Sequence, residues 1–291
     1  MKVAGFTFVR NAIKFDYPII EAIQSILPIC DLLIVAIGDS EDGTLALIQS
    51  IDNPKIKIIE TIWDDSLREG GRVLAVETDK AFQAIPADYD WAFYIQGDEI
   101  VHEADLPIIK AAMKEKLNDS NVDGLLFKYR HFFGSYSYVG DSLRWYPNEI
   151  RVIKNNKSIY SYRDAQGFRK GEDQKLNVVP IAAHIHHYGW VKDPRVMQDK
   201  QENFNKLWHD DKWMDENIPK VENFDYFKNI DSLEKYKGSH PEVMKERIEK
   251  LNWEFNYDIS FNKMALKQKL KKKLKKIGIN TTYRNYTIVK K

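Results

Sequence analysis

The chain has 291 residues, 43% hydrophobic and 30% charged, with a net charge of +1. This is a globular composition with apolar side chains enough for a sizeable core, and it excludes a disordered chain. No apolar run approaches the ~20 residues of a membrane span, and a single cysteine, Cys30, excludes an intramolecular disulfide. Near-neutrality conceals a division. Residues 262–291 hold 11 Lys/Arg and no Asp/Glu, which leaves 33 basic and 43 acidic side chains in the first 261. The N-terminal run Val3–Val9 meets Arg10 and Asn11 too soon to be a signal core, so a cytoplasmic protein is expected.

Lys2–Val9 is a continuous apolar run, the pattern of a parallel strand covered on both faces. Ile19, Ile20, Ile23, Ile26 and Leu27 follow at helical spacing, with Pro18 near the start, where a helix tolerates it. Leu32–Ile37 predicts a second strand, Thr44–Ile51 a helix, Ile56–Ile62 a third strand, Val73–Ile85 a helix and Trp91–Ile95 a fourth strand. The alternation predicts a parallel α/β sheet whose post-strand loops share one edge. Those loops are Arg10-Asn11, Gly38–Thr44, Trp63–Arg72 and Gln96–Glu99. Beyond a helix over Ala104–Asn118, strands are expected at Gly124–Tyr129, Glu149–Lys154, Ser158–Tyr162 and Val178–Tyr188. Past Pro194 the chain reads as helical and polar.

Gln96-Gly97-Asp98-Glu99 places carboxylates at a strand end, where Asp98 suits a hard divalent ion beside phosphate oxygens. Taken alone, the tetrapeptide reads more readily as a turn with Glu99 capping the next helix.

Three pieces in order, Phe8-Val9-Arg10-Asn11, Gly38-Asp39-Ser40-Glu41-Asp42-Gly43-Thr44 and Gln96-Gly97-Asp98-Glu99, resemble a family-2 glycosyltransferase with the GT-A fold. The resemblance covers about residues 1–190 and is strongest in the first 110. It implies a Rossmann-like, mostly parallel sheet flanked by helices, with a helical C-terminal extension. A GT-A catalytic domain over 1–190 would divide into a nucleotide-sugar half (1–110) and an acceptor half (111–190). A helical extension (191–261) and a basic amphipathic tail (262–291) would follow. The implied activity moves a sugar, with inversion, from a nucleoside-diphosphate sugar to a glycan or lipid-linked acceptor, as in polysaccharide biosynthesis. Two departures from the family stand out. Gln96 replaces the first acid of Asp-x-Asp, and Gly38 stands where the family often has Asp, with Asp39 one place later.

On this resemblance Asp98 holds Mg2+ or Mn2+, and Gln96 reaches the ribose as an amide. Arg10, Asn11 and Asp39 belong to the nucleotide pocket, and Arg68 and Arg72 flank Gly70-Gly71 near the diphosphate. Asp164 is the expected base, with Asp173 the alternative. His187 joins the metal, with His184 and His186 as alternatives. The aromatic stretch Tyr129–Trp145 suits either a sugar surface or packing beneath a loop. Lys263–Lys276 has Met264, Leu266, Leu270, Leu274 and Ile277 at helical spacing among lysines, the pattern of a helix on an anionic membrane. That would place the protein at the inner face of the cell membrane. No nucleic-acid partner is expected. A non-catalytic nucleotide- or sugar-binding protein on the same scaffold is the alternative, and a nucleotidyltransferase lacks its Gly-rich basic signature after the first strand.

Overall fold

The computed structural model describes residues 1–276 and 283–289, so Ile277 of the predicted basic helix lies outside the described residues. Strands β1 (Val3–Val9), β2 (Leu32–Gly38), β3 (Ile56–Thr61) and β4 (Trp91–Tyr94) are parallel and lie in the order β3-β2-β1-β4. Helices α1 (Ile19–Ile26), α2 (Thr44–Gln49) and α3 (Arg72–Gln83) connect them. Successive side chains of a strand point to opposite faces, so the apolar run of β1 divides between two cores. Val3 and Val9 join Ile19, Ile23 and Ile26 of α1, whereas Ala4 and Phe6 join Val73, Leu74 and Phe82 of α3. Phe6 is fully buried, and truncating such a ring to alanine costs about 3–5 kcal/mol.

The second half is mixed. It comprises β5 (Glu99–Val101), α4 (Leu106–Glu115), β6 (Gly124–Phe133), β7 (Ser135–Gly140), β8 (Asn148–Lys154) and β12 (Asn177–Trp190). Strand β8 lies antiparallel between β4 and β6, β12 runs parallel to β6, and β5 pairs antiparallel with β12. Strands β9 (Ile159–Tyr162), β10 (Gly167–Lys170) and β11 (Gln174–Lys175) form a separate small sheet.

The boundaries expected at 190 and 261 are crossed by the sheet. After α5 (Pro194–Lys206) and α6 (Asp211–Asn217), β13 (Leu233–Lys235) pairs with β7. After α7 (Lys245–Glu249) and α8 (Leu266–Lys276), β14 (Thr287–Ile288) pairs with β12. The aromatic stretch explains the first crossing. Instead of an open sugar surface, Phe133 and Tyr138 form a third core with Tyr226, Leu233, Phe255 and Tyr257. Rings of this size contribute most when removed from water, and the polar-looking extension supplies the partners. No helix among the described residues is long and apolar enough to cross a membrane.

Candidate active site

The loops after β1–β4 meet as predicted. Asn11, at φ 53°, donates its backbone N–H to Ser40 Oγ (3.0 Å), and its side-chain oxygen accepts from Glu41 N (2.9 Å). Ala12 N donates to Thr44 Oγ1 (2.7 Å) and Lys14 N to Asp42 Oδ2 (2.6 Å). The Ser40–Thr44 motif is thus a latch holding the first loop to the second. It forms one wall of a cleft of about 720 Å3.

Asp98 lines that cleft. Below it, Glu99 is fully buried and takes a two-pronged contact from Arg151 (2.7 Å to each oxygen), a bond from Tyr129 Oη (2.7 Å) and one from Gln96 N (3.2 Å). The pair anchors the turn carrying Asp98 and leaves Glu99 no capacity for a ligand. The β5–β12 register sets Glu99 opposite His187, and Tyr188 N donates to the Asp98 backbone oxygen (2.8 Å). His187 is therefore delivered to Asp98 by strand pairing.

The hydrogen-bond chain assigns the imidazole tautomers. His131 Nε2 faces the Tyr146 carbonyl at 2.8 Å and must carry a proton there. Burial, reinforced by His187, pushes His131 down to about 3, so it is neutral and its Nδ1 accepts. His187 Nδ1, 3.2 Å away, then donates, and His187 Nε2 is left with a lone pair. Burial also lowers the pKa of His187, against the pull of Asp98 and Glu99. The free Nε2 faces Asp98 Oδ1 at 3.7 Å, too far for a hydrogen bond.

The other carboxylate oxygen, Oδ2, accepts from Lys200 Nζ (3.2 Å), which also donates to Gly189 O (3.0 Å). Burial opposes ionisation of Asp98. Lys200, together with Lys192, outweighs it and holds the carboxyl well below its usual range. Gly189 is flush with the pair: a Cβ there would come 2.5 Å from Asp98 Oδ2 and 2.8 Å from His187 Nε2.

Asp164, which also lines the cleft, sits on the turn between β9 and β10, flanked by Arg163 (φ 57°) and Ala165 (φ 62°), both left-handed. Such backbone is costly outside glycine and gathers at functional sites. Burial raises the Asp164 pKa, and its Oδ1 has no hydrogen-bond partner among the described residues. Gly71 (φ 69°) leaves it room, since a Cβ there would meet the Asp164 Cβ at 2.8 Å.

Arg10, Asn11, Arg68, Gln96, Asp98, Asp164 and His187 all line this cleft, and Asp39, Arg72 and Asp173 do not. Asp39 faces Arg10 (3.4 Å) and accepts from Trp63 N (3.4 Å). Arg72 is exposed on the first turn of α3. Asp173 is exposed and pairs with Arg169 (3.2 Å). Arg68 lines the cleft but is committed to Lys206 O (2.8 Å), His209 O (2.7 Å) and Asp211 (2.9 Å), so it clamps the segment after α5 in place of a diphosphate. Arg10 is paired with Asp65 (2.7 Å) over the Trp63 ring. The Gln96 amide nitrogen is directed to Ala165 O (3.2 Å) and Tyr94 Oη (3.3 Å). His184 and His186 lie away from the cleft: His184 pairs with Asp105 (3.7 Å), and His186 Nε2 meets Arg130 and Tyr236, each at 3.1 Å.

Helix α5 was not anticipated as a wall, yet Lys200, Gln201, Asn203 and Phe204 all face the cleft. Asp193 caps its start by accepting from Arg195 N (2.9 Å), and Pro194 follows. The Asp-Pro pair just past the histidine strand was the available signal for a helix beginning at the site.

A carboxylate oxygen and an imidazole lone pair facing each other suit a divalent cation. Their 3.7 Å separation lies within about 4.2 Å, twice a ligand distance of roughly 2.1 Å. With Gly189 leaving the space open, the residues fit Mg2+ or Mn2+, although no group of three or more His, Cys, Asp or Glu able to hold a metal occurs among the described residues. Any remaining ligands would come from substrate or water.

No protein-family model matches the chain, and neither does any curated protein. Among solved structures it is similar to TarS 1-349 of S. aureus in complex with UDP: 12% identity and TM-score 0.40, over 69% of this chain and 64% of that one. It is also similar to 4-diphosphocytidyl-2C-methyl-D-erythritol synthase from Anaerococcus prevotii: 10% identity and TM-score 0.39, over 66% of this chain and 92% of that one. Glucosyl-3-phosphoglycerate synthase from Mycobacterium tuberculosis, in complex with Mn2+, UDP-glucose and phosphoglyceric acid, matches at 19% identity and TM-score 0.30, over 45% and 44%. The chain spans 39% of the length of a longer S. aureus TarS structure and 64% of the shorter one.

Proposed function

We propose that the chain is an inverting, metal-assisted glycosyltransferase that moves a sugar from a nucleoside-diphosphate sugar to a hydroxyl of a glycan or lipid-linked acceptor. The observation that carries this reading is one cleft lined by both the Asp98–His187 pair and Asp164, whose Oδ1 has no hydrogen-bond partner among the described residues. Phe8, Arg10 and Trp63 offer a flat aromatic and cationic surface for the base. Asp98 and His187 would hold Mg2+ or Mn2+, which when bound neutralises charge on the diphosphate. Asp164 accepts the proton of the acceptor hydroxyl as that oxygen attacks the anomeric carbon. The carbon–oxygen bond to the diphosphate breaks on the opposite face, the bonding pair leaves with the nucleoside diphosphate, and the configuration inverts.

The basic tail supports a place at the inner face of the cell membrane. Helix α8 is lysine-rich, with Leu266 and Leu270 exposed, and Lys272 pairs with Asp141 of the body. Lysines near an anionic surface contribute about 1 kcal/mol each.

The test is turnover of a panel of UDP-, GDP- and dTDP-sugars, with and without EDTA, for the wild type and Asp98→Ala. Turnover that EDTA and Asp98→Ala each abolish is expected. Metal-independent activity, or an unaffected variant, removes the metal from the reading. Nucleotide binding with no transfer to any acceptor would make the chain a binding protein.

A further inference from the structure

The two oxygens of Asp98 face different things. Oδ1 faces the proton-free His187 Nε2, and Oδ2 accepts from Lys200. Lys200 is not a surface lysine folded inward by chance. Its side chain is 11% exposed, and its ammonium lies 5.0 Å from the centroid of the Tyr17 ring. Lys192 Nζ lies 4.9 Å from the centroid of the same ring and donates to Asp16 O (2.6 Å). Two buried lysines on one aromatic ring form a costly arrangement unless anions face them, and burial, with Lys200 nearby, pushes Lys192 down to about 7 while Lys200 keeps its charge beside Asp98.

Helix α5 holds Lys200 there deliberately. Gly71 N donates to Leu207 O (3.2 Å), and Arg68 clamps Lys206 O and His209 O, so the donor half of the sheet grips the end of that helix. An ammonium has three N–H donors. Asp98 Oδ2 and Gly189 O take two of them, and the third has no acceptor among the described residues.

We propose that Lys200 is a built-in cation for the donor diphosphate, sharing Asp98 with the metal so that the metal binds well only together with the nucleotide. The proposal rests on the glycosyltransferase reading and assigns to Lys200 the anion contact expected of Arg68 and Arg72. Its logic is electrostatic. A fixed ammonium beside Asp98 repels a bare divalent ion and drains charge from its ligand. It attracts a diphosphate, whose own charge removes the repulsion. Metal and nucleotide are then positively coupled, and by linkage the coupling is reciprocal.

The experiment is calorimetry on the full chain and on Lys200→Gln and Lys200→Arg. Each is titrated with MnCl2 alone, and in EDTA with UDP, GDP, dTDP and the matching nucleosides. Melting curves report folding. Lys200→Gln should bind Mn2+ alone about threefold or more tightly. In EDTA it should lose about tenfold or more in affinity for the nucleoside diphosphate, with nucleoside affinity unchanged. Lys200→Arg keeps the charge and should retain most diphosphate affinity. If Lys200→Gln, folded, leaves both affinities alone, or weakens Mn2+ binding, Lys200 is only an internal ion-pair partner and the proposal fails while the glycosyltransferase reading stands. If the wild type binds none of the nucleotides, with or without Mn2+, both fail together.

Discussion

The two walls of the cleft are built on opposite terms. On the wall made by the ends of β1 and β2, the motif groups engage one another: Asn11 with Ser40 and Glu41, Thr44 with Ala12, Asp42 with Lys14 and Thr44. On the side made by β5, β12 and the β9–β10 turn, capacity is left over. Asp98 Oδ1 and His187 Nε2 face each other without a proton between them, and Asp164 Oδ1 has no hydrogen-bond partner among the described residues. Buried polar groups are normally paired. The paired motif groups therefore hold shape, and capacity left over inside a cleft is where a ligand can complete the structure.

The largest expected effect falls on the unsatisfied side. Asp164→Asn should lower kcat by roughly 10²–10⁴-fold, the range for losing a positioned base, with the donor KM little changed. The base works only when ionised, and burial has raised its pKa. Wild-type kcat/KM should therefore rise with pH through that raised pKa, and a pH–rate profile flat at its acid end would break the assignment.

Next comes the anchor beneath Asp98. Glu99→Gln leaves Arg151 buried without its counter-charge and should cost about 3–5 kcal/mol in a denaturant titration. A loss below about 1 kcal/mol would mean that the turn is held elsewhere.

Gly189→Ala sharpens the metal assignment. The added Cβ intrudes on both Asp98 and His187, so Mn2+ affinity should fall by about tenfold while the fold persists. Unchanged Mn2+ binding would put the ion elsewhere.

The satisfied wall should answer differently. Thr44→Val strips the acceptor from Ala12 N and should cost about 1–2 kcal/mol of stability, with donor KM unchanged. Smallest of all, Arg72→Ala and Asp173→Ala should each change transfer by no more than about twofold, as exposed positions outside the cleft do. A tenfold loss at either would return it to the site.

The sheet was legible because burial on both faces leaves a mark on every residue of a strand: Val3–Val9, Leu33–Ile37 and Trp91–Ile95 are apolar almost throughout. Asp98, His187 and Asp164, which line the cleft, were legible as candidates only through position at strand and turn ends. Asp39, Arg72 and Asp173 looked alike by the same measure. Charge and chain order could not separate them, because which of two neighbouring loop residues turns inward depends on contacts made by distant segments. Lys200 carried almost no signal: a lysine on a polar helix normally points to solvent. Its burial follows from Arg68 and Gly71 gripping the end of α5, with Arg68 and Lys206 lying 138 residues apart in the chain.

By itself the sequence determined the parallel half-sheet, the edge that collects the loops and the acidic turn after β4, because local periodicity and turn chemistry decide these. Only the tertiary structure decided what each charge is for. It spent Arg68 on a helix, Glu99 on Arg151 and the Ser40–Thr44 motif on a latch. It left Asp98 divided between a lone pair and an ammonium, since protonation and pairing are set by what lies within a few ångströms in space.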